Sequence, residues 1–414
     1  MTATFRVVLA PDKFKGSLRA SEVADTISTV LQHLAPSIEV TRHPIADGGE
    51  GSVELALSAG FEPISVPVTG PLGAAVEAIF ALKDRVAVLE MASAAGLGLL
   101  PSGPNSDTAW DATTYGAGEL ISAALDRGAA RIIIGAGGSA TTDGGMGAVE
   151  ALGVDVHALG QPAHRADTQR NGLDPRLADV DLIVACDVDN PLVGPHGAAH
   201  VYAPQKGADD ACVAQLELRL AWWADAVAKA TGADLRDSPG VGAAGGFAFG
   251  LVSLAGARIV SGVEILSELT GLNEVAARAD LVVVGEGSLD QQSLRGKGPI
   301  GVARLASSHG VPVVAVAGRN LLSESEWREA GLRAVYVLSD IEPDPKVCIA
   351  DARRLLAELA VTLADDWLPA LTQDAGRSAR SHDGDGSHSN PDPLSPDEYR
   401  EALLSTVVRS EESG

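Results

Sequence analysis

A repeated order constrains the fold most: a short apolar run, then a loop, then an amphipathic stretch. Phe5–Leu9 reads as a buried strand, and Ala10-Pro11-Asp12-Lys13-Phe14-Lys15-Gly16-Ser17 as a loop. Leu18–Leu34 then keeps Val23, Ile27, Val30, Leu31 and Leu34 on one helical face. Val40–Ile45 and Gly51–Ala59 repeat strand and helix. Such alternation predicts parallel strands joined by crossover helices. From Pro63 the pattern changes to alternating Ile64, Val66 and Val68, a Gly70-Pro71 turn, then alternating Val76, Ala78 and Phe80, which predicts antiparallel pairing. Helices are predicted over Ala112–Leu125, Asp209–Thr231 and Ala243–Leu254, with strands at Arg131–Ile134 and Asp181–Ala185. After about residue 275 the first rhythm returns, with strands at Leu281–Val284, Val313–Ala317 and Ala334–Leu338 and helices at Ile300–Ser307, Glu324–Glu329 and Val347–Leu363.

The expected fold class is therefore α/β with two domains. Residues 1–65 and 275–371 form a discontinuous, doubly wound, Rossmann-like domain, and 66–274 form an inserted α/β domain with a mixed sheet. Residues 372–414 carry Asp383-Gly384-Asp385-Gly386 and three prolines, so a disordered tail is expected there. Ser395-Pro396-Asp397-Glu398 has the form of a capping box, which leaves room for a short helix over 396–408.

Charge narrows the partners. The chain of 414 residues has a net charge of −24. Nucleic acid and anionic membrane surfaces need a basic face, so neither is expected as a partner. A small anionic substrate would need local cations to reverse the field. Lysine is scarce, which singles out Lys13, Lys15, Lys206, Arg295 and Lys297. Cys186, Cys212 and Cys348 show no CxxC spacing, which suggests a reducing compartment and no zinc site. Met1–Arg6 has no signal-peptide pattern, and no apolar run approaches the ~20 residues of a membrane helix. A cytoplasmic monomer or homodimer is expected.

Several segments carry chemistry. Lys13 and Lys15 sit at a strand–helix junction, where free N–H groups and the helix dipole favour an anion. Asp47-Gly48-Gly49-Glu50-Gly51 follows the second strand. Gly135-Ala136-Gly137-Gly138-Ser139-Ala140-Thr141-Thr142-Asp143-Gly144-Gly145 follows another. Asp187-Val188-Asp189-Asn190 ends a further apolar run, and Pro204-Gln205-Lys206-Gly207 comes next. Last is Gly285-Glu286-Gly287-Ser288-Leu289-Asp290-Gln291-Gln292-Ser293, with Gly296-Lys297-Gly298-Pro299 behind it. Asp47, Asp187, Asp189 and Asp290 each follow an apolar strand, where open α/β sheets place ligands. No Walker A sequence and no protein-kinase signature set is present. Gly135 to Ala140 also fits the dinucleotide pattern G-x-G-x-x-A, so a nicotinamide-dependent hydroxy-acid dehydrogenase is the rival reading, although Thr141-Thr142-Asp143 is foreign to that fingerprint. A non-catalytic ligand-binding protein on the same scaffold is a third.

Taken in order, these segments resemble the glycerate kinase family that includes the bacterial glycerate 2-kinases, over roughly residues 4 to 365. The resemblance implies a two-domain α/β enzyme that uses ATP and Mg to phosphorylate D-glycerate, with 2-phosphoglycerate favoured over 3-phosphoglycerate. On this reading Asp187 is the base for the acceptor hydroxyl, and Lys15 and Asp189 complete the catalytic set. Ser17, Asp47, Gly48, Gly49, Gly137, Gly138, Ser139, Thr141, Lys206, Glu286, Asp290 and Lys297 bind substrate or phosphate, and Asp189 or Asp290 lies near the metal. The chain departs from the family in one place. A basic residue is usual after Gly-Glu-Gly, and this chain has Ser288. Arg295 or Lys297 is then expected to compensate.

Overall fold

The computed structural model describes residues 4–46, 48–159, 172–295 and 298–368, and for Arg295 the backbone alone. The expectations for Asp47, Lys297 and residues 372–414, with the helix over 396–408, lie outside the described residues. The strands in chain order are β1 (Arg6–Pro11), β2 (Glu39–Arg42), β3 (Glu62–Thr69), β4 (Ala75–Lys83), β5 (Val86–Glu90), β6 (Arg131–Gly135), β7 (Asp181–Ala185), β8 (Arg258–Val260), β9 (Leu281–Leu289), β10 (Val313–Asn320) and β11 (Leu332–Val337). The chain divides into two compact units, one of residues up to Ile45 with those from Gly271 onward, the other Ala46–Thr270.

The first unit is built on a five-stranded sheet in the order β11-β10-β9-β1-β2, parallel throughout. Its strands are Val- and Ala-rich because both faces are covered. Val7, Leu9, Leu281, Val283, Val314 and Val316 share one apolar cluster with the helices Ala20–Leu34 and Ala352–Trp367. Side chains alternate along a strand, so Val8, Val282 and Val284 face the other way. All three are buried, and the helix Gly298–Ser308 packs against β1, β9 and β10. With the inserted unit skipped, the chain leaves β1 toward β2 on one side and leaves β9 toward β10 and β11 on the other. The carboxyl ends of β1 and β9 are thus a topological switch point, the usual ligand position in open α/β sheets.

The second unit has a six-stranded mixed sheet in the order β3-β4-β5-β6-β7-β8. β3, β4 and β5 pair antiparallel, and β5 through β8 pair parallel. The sequence pattern places the boundaries at 65/66 and 274/275, whereas the contacts divide the chain at 45/46 and 270/271. The helix Ser52–Ser58 is the reason for the first difference. Its Leu55 and Ala56 share an apolar cluster with Ala81 and Val88, on β4 and β5.

Three local differences matter. β9 runs to Leu289, well beyond the predicted end at Val284, because β10 stays paired with it as far as Asn320. The predicted helix 347–363 is two helices, Pro345–Ala350 and Ala352–Trp367, broken at Asp351. The helix Ala243–Ala255 opens with Ala244, Gly245 and Gly246 in left-handed conformation.

Candidate active site

In the first unit the candidate residues gather at the switch point. The Asp12 N–H donates to Gly285 O at 2.7 Å, which ties the end of β1 to β9. Phe14 is buried and holds the following loop down, while Lys15 beside it is exposed. The Ser17 hydroxyl donates to Phe14 O at 3.1 Å, so Ser17 shapes this turn. Glycine is required where the strand ends meet. A Cβ on Gly287 would lie 3.1 Å from Lys15 N, and one on Gly318 would lie 2.5 Å from Gly287 O. The backbones of the β1 loop, β9 and β10 therefore touch directly. Glu286 is half-buried on β9. Asp290 closes the strand end, its Oδ1 accepting from Gln292 N at 2.8 Å and its own N–H donating to Ser293 Oγ at 3.1 Å. Asp12 was not singled out from the sequence. Its Oδ2 lies 3.6 Å from where a Cβ on Gly298 would sit, at the start of the 298–308 helix. An aspartate directly at the end of the first strand was the available signal.

In the second unit the Gly48-Gly49 backbone lies across the ends of β6 and β7. A Cβ on Gly48 would come 2.5 Å from Ala185 O, and one on Gly137 would come 2.5 Å from Gly49 Cα. Gly137 N donates to Gly48 O at 3.3 Å. Glu90, at the end of β5, accepts from Gly51 N at 2.9 Å and Val53 N at 2.8 Å, so a carboxylate occupies the start of the 52–58 helix. No local signal pointed to this, because the partners lie almost forty residues apart.

Behind this glycine cradle the polar groups are internal. Lys206 is 2% exposed, and its ammonium donates to Ser139 Oγ at 2.8 Å and Thr141 O at 2.6 Å. Burial pushes Lys206 down to about 7, against an opposing pull from Asp143. Asp143 is buried and accepts from Thr114 N and Thr114 Oγ1, both at 2.8 Å, from Gly145 N at 3.0 Å and from Gly147 N at 3.2 Å. The loop is clamped from outside by Arg219, which donates to Thr142 O at 2.7 Å, and by Trp223, which donates to Gly144 O at 3.0 Å. Gly138 is exposed, whereas Ser139 and Thr141 are buried.

Asp187 and Asp189 follow β7. Asp187 is half-buried, and its Oδ1 accepts from Gly262 N at 3.1 Å, the first residue of the helix Gly262–Thr270. Asp189 is exposed. Asn190 is fixed by donating to His196 O and accepting from Tyr202 Oη. Burial pushes the Tyr202 hydroxyl up to about 12, with the charges of Cys186 and Asp189 adding to it. The structure thus brings together Gly48, Gly49 and Gly137, then Ser139, Thr141 and Lys206, and it places Lys15, Ser17 and Glu286 around one switch point.

The dinucleotide reading fails on geometry. Where a pyrophosphate would approach Gly137, the chain's own Gly49 backbone already lies. A fingerprint glycine turn opens directly into its helix, whereas here the helix Met146–Ala151 begins six residues after Ala140.

One unit carries a doubly wound sheet with cationic and acidic loops at its switch point, and the other carries a glycine cradle at its strand ends; each is an arrangement suited to an α/β phosphotransferase. Residues 7–368 match the glycerate kinase family, and the chain belongs to it. It is 42% identical over 343 residues to the glycerate kinase of Bacillus subtilis (strain 168), covering 80% of this chain and 89% of that one. It is 42% identical over 350 residues to the glycerate 2-kinase of Escherichia coli (strain K12), covering 81% of this chain and 91% of the relative. A crystal structure described as glycerate kinase 2 from Salmonella typhimurium LT2 superposes with a TM-score of 0.70 at 37% identity, covering 91% of this chain and all of that one.

Proposed function

We propose that this enzyme transfers the γ-phosphoryl group of ATP to the C2 hydroxyl of D-glycerate, giving 2-phosphoglycerate. What supports this most is the placement of the lysine loop, the glycine cradle and the carboxylates at carboxyl ends of parallel strands, in a chain of this family. C2 is chosen because a relative covered along most of its length is a glycerate 2-kinase. Lys15 positions phosphate oxygens, and Glu286 completes that edge. Asp187 accepts the proton of the acceptor hydroxyl. Its hydrogen bond to Gly262 N fixes one carboxylate oxygen and so orients the other. Gly138, which is exposed, faces the anion, on a cradle that Gly48, Gly49 and Gly137 build by packing against one another and the strand ends. Ser139, Thr141 and Lys206 hold its shape from within.

Magnesium takes oxygen ligands and needs one or two carboxylates when phosphate supplies the rest. Asp189 is exposed at a strand end, and Asp290 is half-buried at another. Among the described residues no group of three or more His, Cys, Asp or Glu gathers to hold a metal. This donor set fits an ion that arrives with the nucleotide, with Asp189 or Asp290 as its carboxylate. Bound there, magnesium would neutralise phosphate charge.

No helix among the described residues is long and apolar enough to cross a membrane. The cysteines 186, 212 and 348 are free and buried. The free cysteines suit a reducing compartment, and a cytoplasmic enzyme acting on two small anions, as a monomer or homodimer, is proposed. The test is ADP release from Mg-ATP with and without D-glycerate. Release that depends on the acid is expected, and ADP formation indifferent to it would overturn the reading.

A further inference from the structure

The strands β9 and β10 overhang the rest of their sheet. The last β1 partner of β9 is Gly285, facing Pro11, yet β9 and β10 remain paired through Leu289 and Asn320. Ser288 and Arg319 are direct partners on this overhang. Their positions alternate in phase with Val282, Val284 and Glu286, so they share the sheet face covered by the 298–308 helix. That helix begins at the same carboxyl edge, with the positive end of its dipole.

Like Arg85 and Arg304, which donate to backbone oxygens, Arg319 stands outside the ion pairs that hold other arginines of this chain. Arg176, Arg236 and Arg354 each bridge two carboxylates, and Arg258 pairs with Asp181. Arg319 makes no ion pair among the described residues, although the chain holds 55 Asp and Glu. Its Nε donates to Ser288 Oγ at 3.0 Å, and the two Nη nitrogens have no protein partner among the described residues. A neutral hydroxyl thus orients the guanidinium without cancelling its charge. Ser288 is also the position where the family resemblance leads one to expect a basic residue.

We propose that Arg319 is an oxyanion-binding residue of this edge, oriented by Ser288, and that it supplies from β10 the charge that β9 lacks. This rests on the kinase reading above. Its planar fork matches an oxygen pair of the glycerate carboxylate or of a nucleotide phosphate. Ser288 is a positioning residue in this account.

The experiment is steady-state kinetics on the full chain, with D-glycerate and ATP varied separately, for wild type, Arg319→Ala, Arg319→Lys and the swap Ser288→Arg/Arg319→Ser. Thermal melts report on folding. Arg319→Ala is expected to raise one KM by about 10- to 100-fold, from the loss of charge-assisted hydrogen bonds. A rise in the glycerate KM identifies the carboxylate, and a rise in the ATP KM identifies the phosphate. The lysine variant should fall between, because it keeps charge and loses the fork, and the swap should recover most of the loss. Arg319→Ala that melts like wild type with both KM values unchanged overturns the proposal while wild-type turnover keeps the kinase reading. Absence of glycerate-dependent turnover in wild type removes both.

Discussion

Lys206 combines full burial with an amine that has to donate to Ser139 and Thr141. Burial lowers its folded pKa to about 7, against an unfolded value near 10.4. Between these values the unfolded chain binds the extra proton, so stability rises with pH across that window and the gain is lost as pH falls toward 7. The slope is at most about 1.4 kcal/mol per pH unit. Lys206→Met removes this dependence. Urea midpoints at several pH values should show wild type gaining on the variant from pH 7 to 9, and parallel curves would contradict this account. Asp187 makes a sharper functional prediction. Asparagine keeps an oxygen for Gly262 N but cannot take a proton. Asp187→Asn should therefore lower kcat by about 10²- to 10⁴-fold with little change in the ATP KM, and near wild-type turnover would remove the base role. The aspartate was legible in the sequence because it ends a five-residue apolar run. Arg319 was not, because its meaning depends on a register partner 31 residues away.

At the scale of elements, the glycine loops were legible as loops but not in their contacts. Gly285-Glu286-Gly287 reads as punctuation, yet it is strand, because pairing with β10 outweighs the local cost of glycine. The loop 137–147 reads as an anion cradle, yet Ser139 and Thr141 face inward. Its shape depends on Asp143, which accepts four hydrogen bonds, two from Thr114 and one each from Gly145 and Gly147. Asp143→Ala would strand buried donors at about 1–3 kcal/mol apiece, so a loss of about 3 kcal/mol or more is expected in urea unfolding. A loss under about 1 kcal/mol would mean that water replaces the carboxylate. Gly48→Ala meets the Ala185 carbonyl at 2.5 Å from a backbone with φ of +79°. Overpacking and left-handed strain together predict about 1–3 kcal/mol of destabilisation and a weaker ATP KM, and wild-type values for both would show that the cradle yields easily.

At the scale of the whole molecule, the order of strand, loop and helix carried most of the architecture. The doubly wound sheet and the inserted mixed sheet both followed from periodicity, because parallel strands buried on two faces read as continuous apolar runs. The unit boundary at 45/46 was harder to read, since the packing of the 52–58 helix on β4 and β5 depends on contacts distant in sequence. The net charge of −24 repels anionic substrates, so the few cations at strand ends have to reverse the field locally. The central claim is phosphoryl transfer to one hydroxyl of glycerate. Phosphorus NMR of a reaction holding the protein, Mg-ATP and D-glycerate tests it most directly. The account predicts a 2-phosphoglycerate resonance that grows with ADP and needs all four components. A 3-phosphoglycerate resonance would contradict the choice of C2, and no phosphorylated acid at all would contradict the account itself.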